Sequence, residues 1–452
     1  MGKKVEKRPS CSFWKLTVAV CLLFSVPAGA SAQSVTLAQA ADLMRTNEVQ
    51  FEILDLEQDV SDEIVRQAFG ERLPRVRLSV SYIQTYQDIV NQDNTTFQEG
   101  TSSYPTTTVT LAATQPLYDQ VRFRALPLAR AEQELVSMQA EAARTELSGL
   151  LVSSFLGVAR AQLRVDQARA IMSARQNLVR DLAQLVSAGR ADAERQLRAE
   201  GDVFAAEADV SDAELDLSEA LFELHRFTGP DIGGVSYRGG VGVAELRSFL
   251  QTFNEARLGD LNPQIQIARA EAAVAARRLH RVRAAFQPTV DLTLELENEQ
   301  TDGSLFGGGS EIQSAEAGLQ MNWSIYEGGV RRSQVREAER RLEIAQLRIK
   351  QTQDLAVRRY RSLVSALEKS LDVVAATERD RRVAVQRVAA AEQQVGAGRR
   401  ALEQVLEAKL RRDTMGIQAE GARIRAVQLQ AELYALFGAL DIETLSRDFA
   451  GG

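Results

Sequence analysis

The chain has 452 residues, 45% hydrophobic, 25% charged and only 6% aromatic, with a formal net charge of -7. The first 32 residues carry Lys3, Lys4, Lys7, Arg8 and Lys15 against Glu6, or +4, which leaves -7 - 4 = -11 for the remainder. An acidic, alanine- and leucine-rich body with arginines interleaved among glutamates argues for long helices and against nucleic-acid binding.

Residues 1–32 read as a secretory signal peptide, with a basic start, an apolar run from Leu16 to Val26 and Ala30-Ser31-Ala32 before Gln33. Both cysteines, Cys11 and Cys21, lie inside it. Val20 is too large to precede a lipidated cysteine, so no lipid anchor is expected and the mature chain has no thiol chemistry. After it comes no apolar run of transmembrane-helix length; Leu147 to Ala159 is the longest uncharged apolar stretch and reads as a buried helix face. An exported chain of this kind enters a membrane only as β-strands.

Val35 to about Leu73 reads as two helices. Pro74 opens an alternating run, with Val76, Leu78, Val80 and Tyr82 on one face and Arg77, Ser79, Ser81 and Ile83 on the other. A polar loop, Asn91 to Pro105, leads to a second alternating run through Val109, Leu111 and Ala113. Gln115-Pro116-Leu117-Tyr118-Asp119 follows, then a helical pattern from about Gln120 to Val186. Ser187-Ala188-Gly189-Arg190 breaks it, and a shorter helix ends at Phe227-Thr228-Gly229. Gly233 to Gly242 reads as a glycine-rich connector, and Ala244 to Phe286 as two helices. Pro288 opens a third strand, Val290, Leu292, Leu294 and Leu296 facing one way and Asp291, Thr293, Glu295 and Glu297 the other. Beyond a Thr301–Gln313 loop, a fourth strand sets Ala315, Ala317, Leu319, Met321, Trp323 and Ile325 against Glu316, Gln320, Asn322 and Ser324.

Trp323-Ser324-Ile325-Tyr326-Glu327-Gly328-Gly329-Val330 then opens about 65 proline-free residues, a rod of roughly 100 Å at 1.5 Å per residue. Its apolar seam is Val335, Ala338, Leu342, Ala345, Ile349, Thr352, Ala356, Tyr360, Leu363, Leu367, Leu371 and Val374. Val395 to Arg399 forms a second break before a last helix. The plan occurs twice: Pro74 and Pro288 are 214 apart, Gly189 and Gly398 are 209 apart, and so are Gly229 and Gly438. The expected organisation is a signal peptide (1–32), a first repeat (33–229), a linker (230–243), a second repeat (244–438) and a tail (439–452). Four strands cannot close around a lumen and open edges cannot face lipid, so several copies are expected to share one barrel.

These residues resemble the TolC family of outer-membrane channels. The motifs are Gln115 to Asp119, Trp323 to Val330, the two proline-led strand starts, the two tips, Val405-Leu406-Glu407-Ala408 after the second tip, and Leu433 to Leu440. The resemblance implies an α+β membrane protein of long helical hairpins plus four transmembrane strands per subunit. It implies a homotrimer with a twelve-stranded β-barrel and a twelve-helix α-barrel, no cofactor and no enzymatic activity. The expected role is an exit duct across the outer membrane and periplasm, reached through a periplasmic adaptor and driven by an inner-membrane transporter, an ABC or a proton-driven pump. A periplasmic coiled-coil scaffold and a constitutively open porin are the alternatives.

Aligned on Gly398, the family's gating acids fall on Gln404 and Glu407, with Glu403 alongside the first. The basic tip residue falls on Arg400, and the first-repeat latch residues fall on Glu194 and Arg195. An Arg400–Glu194 pair is the expected substitute latch. Gly189, Arg190, Val395, Gly398 and Arg399 are the expected adaptor-facing tips. Pro116, Tyr118, Tyr326, Gly328 and Gly329 mark the passage from strand to helix. Asp291, Glu295, Glu297 and Glu316 read as a lumen lining with a modest preference for cations. His225 and His280 have no acid or cysteine at metal spacing and read as structural or surface residues.

Overall fold

The computed structural model describes residues 33–89, 100–189, 192–230, 232–237, 251, 253–303, 308–396, 402–443 and 445–446. The chain begins with β1 (Gln33–Val35), α1 (Leu37–Asn47) and α2 (Val49–Gly70). It continues with β2 (Arg75–Ile89), β3 (Gly100–Tyr118), α3 (Gln120–Ser187), α4 (Ala193–Thr228) and β4 (Ile232–Val235). The second half holds α5 (Glu255–Leu261), α6 (Pro263–Ala284), β5 (Thr289–Thr301), β6 (Ser310–Asn322), α7 (Val330–Gly396) and α8 (Leu402–Leu436).

Two helices, α3 and α7, are unbroken rods of 68 and 67 residues. Each is accompanied by two shorter helices laid in succession along it. On α3, Arg169–Glu214 at 2.7 Å and Arg175–Asp202 at 3.0 Å tie down α4, while Arg144–Asp55 at 2.5 Å ties down α2 nearer the sheet. On α7, Lys409–Glu392 at 2.9 Å and Arg359–Glu432 at 2.6 Å hold α8, and Arg283–Glu339 at 2.7 Å holds α6. These exposed pairs align the helices, but each contributes at most about 1 kcal/mol. Burial does more. Leu363, Leu367, Leu371 and Val374 of α7 meet Ala426, Leu429 and Leu433 of α8. The larger core gathers Leu151, Phe155 and Leu156 of α3, Leu224 and Phe227 of α4, Met44 of α1 and Ile424 of α8.

Where one short helix hands over to the next, an asparagine closes the gap. Asn47 Nδ2 donates to the Thr228 carbonyl at the end of α4, at 3.1 Å. Asn262 Nδ2 donates to the Leu436 carbonyl at the end of α8, at 2.7 Å, and its Oδ1 accepts from Ile265 N at 3.0 Å. Asn262 therefore satisfies orphan groups on two helices at once, and it is only 2% exposed. Asn262→Ala should lower stability by about 2–3 kcal/mol, a lost cap plus an unsatisfied buried carbonyl. A denaturation midpoint equal to the parent's would refute this.

Pro127 sits inside α3 without breaking it. A proline cannot supply the N–H that the carbonyl four residues earlier expects. Here that carbonyl, Phe123 O, accepts from the Arg72 guanidinium at 2.5 Å instead, and the same arginine lies over the Phe123 ring.

The four long strands form one antiparallel sheet in the order β2-β3-β5-β6. Three sequence expectations are corrected. The Gly233–Gly242 connector contains β4, which pairs in parallel with β1, so a small two-stranded sheet lies where a linker was expected. β3 starts at Gly100, within the expected polar loop, because Thr101–Pro105 find partners at Asp88–Gln84. β6 spans Ser310–Asn322, starting inside the Thr301–Gln313 loop and stopping before Trp323 and Ile325: Asn322 already pairs with Thr289, the first residue of β5. Trp323 Nε1 instead donates to the Phe286 carbonyl at 3.1 Å.

Candidate functional site

Three levels along the molecule carry the chemistry: the sheet, the junction below it and the far tips. Directly opposed residues in an antiparallel pair share a face, so the register assigns the whole sheet. One face carries Val76, Leu78, Val80 and Tyr82 of β2, Val109, Leu111 and Ala113 of β3, Leu292, Leu294 and Leu296 of β5, and Ala315, Ala317, Leu319 and Met321 of β6. Most of its large side chains are exposed. A contiguous apolar face of this size needs a cover.

The opposite face carries Arg77, Ser79 and Ser81, then Thr108 and Thr110, then Glu295 and Glu297, then Glu316 and Ser314. Glu295 and Glu316 are directly paired. Like charges opposed on a sheet repel, and a solvated face lessens the repulsion. Glu297 accepts from Thr110 Oγ1 at 3.3 Å. Asp291 shares this face but departs from the expected lining. It is half-buried at the sheet's end, 4.0 Å from the Arg122 guanidinium, and one of its oxygens has no hydrogen bond.

At the junction, β3 passes into α3 through a register shift between Pro116 and Tyr118. The Tyr118 hydroxyl donates to Gln287 Oε1 at 2.6 Å. The buried Asp119 caps α3, accepting from Arg122 N at 3.0 Å and pairing with Arg122 Nε at 3.1 Å. The second junction is built differently. Gly328 and Gly329 have φ of +60° and +84°, the left-handed region that glycine enters without strain. Arg331 ties the turn together, donating to the Ser324 carbonyl and to Glu327 Oε1, both at 2.7 Å. Tyr326 projects freely, 85% exposed. Sequence reading found the aromatics and glycines and missed Arg72, Arg122 and Arg331. For Arg122 and Arg331 the available signal was an acid beside each tyrosine with an arginine three or four residues later.

At the first tip, Gly189 closes α3 with φ +68°, and Asp192 caps α4, accepting from Glu194 N at 3.1 Å. Glu194 forms an ion pair with Arg198 on its own helix. Arg195 follows it on the first turn of α4. Arg190, Gly398, Arg399 and Arg400 lie outside the described residues, as does any Arg400–Glu194 contact. Val395 is the penultimate residue of α7 and Glu403 the second of α8; of their side chains nothing is described. Gln404 and Glu407 are exposed on the first turns of α8, flanking buried Val405.

Among the described residues no group of three or more His, Cys, Asp or Glu could hold a metal ion. His225 Nε2 donates to the Ile232 carbonyl at 2.7 Å, holding β4 against α4. No described helix is long and apolar enough to cross a membrane.

A sequence profile for the family described as outer membrane efflux protein matches residues 41–230 and 257–439. No curated protein matches the chain. Among solved structures, the Campylobacter jejuni CmeC outer membrane channel is similar at a TM-score of 0.73 and 14% identity, covering 98% of each chain. A membrane protein from Pseudomonas aeruginosa is similar at 0.72 and 19% identity, covering 92% of this chain and 93% of its own. The Vibrio cholerae outer membrane protein VceC is similar at 0.68 and 18% identity, covering 89% and 97%. At these identities the likeness establishes a shared fold.

Proposed function

Because this chain belongs to the outer membrane efflux protein family, we propose that it is the exit duct of a tripartite efflux pump. Three copies pool their sheets into a twelve-stranded barrel in the outer membrane and their helices into a twelve-helix tunnel through the periplasm. The duct is passive, with no cofactor and no enzymatic step. An inner-membrane pump, ABC or proton-driven, pushes substrate through it by way of a periplasmic adaptor that meets the tips near Gly189 and Gly398. Service in type I secretion is the variant of the same reading with a protein as cargo.

The observation that carries the proposal is the two-sided sheet. Its shortest strands, β5 and β6, have 13 residues each. At about 3.3 Å per residue and a tilt near 45°, such a strand rises about 30 Å, the thickness of a bilayer's hydrocarbon core. Its bare apolar face then meets lipid, and the face with Glu295, Glu297 and Glu316 meets a water-filled lumen. We take residues 1–32 as the signal for export and 33–229 and 244–438 as two repeats of one unit. We also assign Glu407 to the closed end of the tunnel, with Glu194 and Arg400 as the latch between repeats.

The test is fractionation followed by planar-bilayer recording. Heat-resistant oligomers should sediment with the outer membrane. The parent should pass a low, cation-preferring current that rises in Glu194→Ala and Arg400→Ala, while Glu295→Gln with Glu297→Gln and Glu316→Gln should weaken the cation preference. Release by osmotic shock would instead identify a periplasmic coiled-coil scaffold. A large steady current, insensitive to the tip changes, would identify an open porin.

A further inference from the structure

The second repeat departs from the first on one face of its long helix. The repeat spacing of 209 carries Phe123 and Pro127 of α3 onto Arg332 and Arg336 of α7. Side-chain bonds place that face of α3 on the sheet's apolar side. Gln115 lies opposite Leu292, on the apolar face. Its Nε2 donates to the Arg72 carbonyl at 2.9 Å, and the Arg72 guanidinium covers the Phe123 ring. The other side of the wall holds a groove of about 910 Å³ between α3, α6 and α7, lined by Val121 and Leu128 and by Gln334 and Arg341. At 3.6 residues per turn, Phe123 stands about 140–160° round α3 from the first two. Arg332 and Arg336 stand about 140–180° round α7 from the second two.

Trp323 and Tyr326 are exposed between the strands and α7, and these side-chain types settle at the membrane–water boundary. Arg332 and Arg336 follow, about 3 and 9 Å below the start of α7 at 1.5 Å per residue. That depth matches the headgroup layer of a bilayer, about 5–8 Å thick on each side. Both arginines are exposed, and among the described residues neither has an ion pair or a hydrogen bond. The acids nearby are already taken. Glu327 pairs with Arg331, Glu339 with Arg283 and Glu343 with Arg340, each at 2.7 Å, and Glu337 pairs with Arg341. Like charges four residues apart on a helix repel, so α7 carries an uncompensated repulsion at its start. An anion between the two arginines removes it, and two guanidinium groups can grip one phosphate through several N–H donors.

We propose that Arg332 and Arg336 bind the headgroup phosphate of an anionic phospholipid, of the phosphatidylglycerol kind, in the periplasmic leaflet. The proposal rests on the duct reading above, in which the sheet's apolar face meets lipid, and adds a headgroup site at the lower edge of that face. The first repeat lacks the site. Its matching positions are Phe123 and Pro127, and the arginine beside them, Arg72, is engaged by the Phe123 ring and carbonyl. Each copy therefore contributes one site. Exposed charges in physiological salt are screened beyond about 8 Å, so the selection is confined to lipids that touch this pair.

The test reads Trp323, which is the only tryptophan once Trp14 is replaced by Phe. The full chain is reconstituted in phosphatidylcholine vesicles, with phosphatidylglycerol or phosphatidylcholine carrying a nitroxide quencher near the headgroup. Labelled phosphatidylglycerol should quench Trp323 at about one-fifth of the mole fraction that labelled phosphatidylcholine needs, the worth of about one arginine at the headgroups. The ratio should fall to about 1 in Arg332→Gln with Arg336→Gln. It should persist in Arg382→Gln with Arg387→Gln, an equal loss of charge about 75 Å further along α7. It should also persist when sodium phosphate replaces sodium chloride at equal ionic strength. Equal quenching of the parent by both lipids, or equal loss in the control variant, would overturn the headgroup site and leave the duct standing. Loss of the ratio in phosphate alone would identify a site for free anions and overturn it too. If neither lipid quenches Trp323, the sheet's edge does not meet lipid, and the duct reading falls with the inference.

Discussion

Leu294→Arg should remove heat-resistant oligomers from the outer-membrane fraction, while Thr293→Arg, one residue away, should leave them in place. Leu294 lies near the middle of β5, opposite Ala113 and Ala317 on the apolar face. An arginine there would enter hydrocarbon near the bilayer midplane, at about 2–4 kcal/mol per copy. Three copies in one barrel share the burden, so the assembled state loses several times that amount. Thr293 faces the other way, opposite Thr114 and Gly318. Gly318 has no side chain, which leaves room for an arginine among water and carboxylates. That variant should assemble and conduct with a weakened preference for cations. Equal tolerance of the two substitutions would mean that the apolar face does not meet lipid.

Gly438→Ala should be the most damaging single-methyl change in the helical part. Gly438 follows α8 with φ +64°, where an L side chain is strained by about 1–2 kcal/mol. A Cβ there would also lie 2.9 Å from Pro263 Cγ and 3.3 Å from the Leu261 carbonyl oxygen. Relieving that overlap would push α8 away from α6 and loosen the Asn262 cap, adding about 1–3 kcal/mol. The matching Gly229 also has a positive φ, +83°, but its nearest contact would be Asn47 Nδ2 at 3.6 Å, so Gly229→Ala should suffer strain alone. Gly157→Ala, in the middle of α3 with nothing within 4 Å, should be neutral or mildly stabilising. Thermal melts of the three variants in detergent should rank in that order. A Gly438→Ala melt at the parent temperature would show that the joint yields freely.

The helices were legible because their signal is local. The apolar seam from Ala338 to Val374 was readable at steps of three and four, and within it α7 buries Ala338, Ala345, Ala356, Leu363, Leu367, Leu371 and Val374; the burial continues past it through Ala384, Val388 and Ala391. The faces of β5 were legible for the same reason at a period of two. Other features depended on partners distant in sequence. Gly233 and Gly234 look like linker and become strand because Ser34 and Val35 lie alongside. Trp323 and Ile325 continue the alternation of β6 but have no opposing strand. Asp291 alternates with Glu295 and reads as lumen, yet it lies at the sheet's end, half-buried beside Arg122 of α3. Asn47 and Asn262 acquire a task only through their bonds to Thr228 and Leu436, far away in the sequence.

The joints at Asn47 and Asn262 also bear on how the wall of the proposed duct would deform. An unbroken helix carries three or four backbone hydrogen bonds through any cross-section. At each joint the asparagine side chain contributes one bond between the upper and lower pieces. In the proposed duct every second stave is therefore one continuous rod, and every other stave is two rods joined only by side-chain bonds and packing, such as Phe437 against Leu258 and Ile265. Resistance to bending resides in α3 and α7, whereas torsion concentrates at the level of the two asparagines. In the proposed duct, a twist applied at the far tips would meet its weakest backbone cross-section at that level.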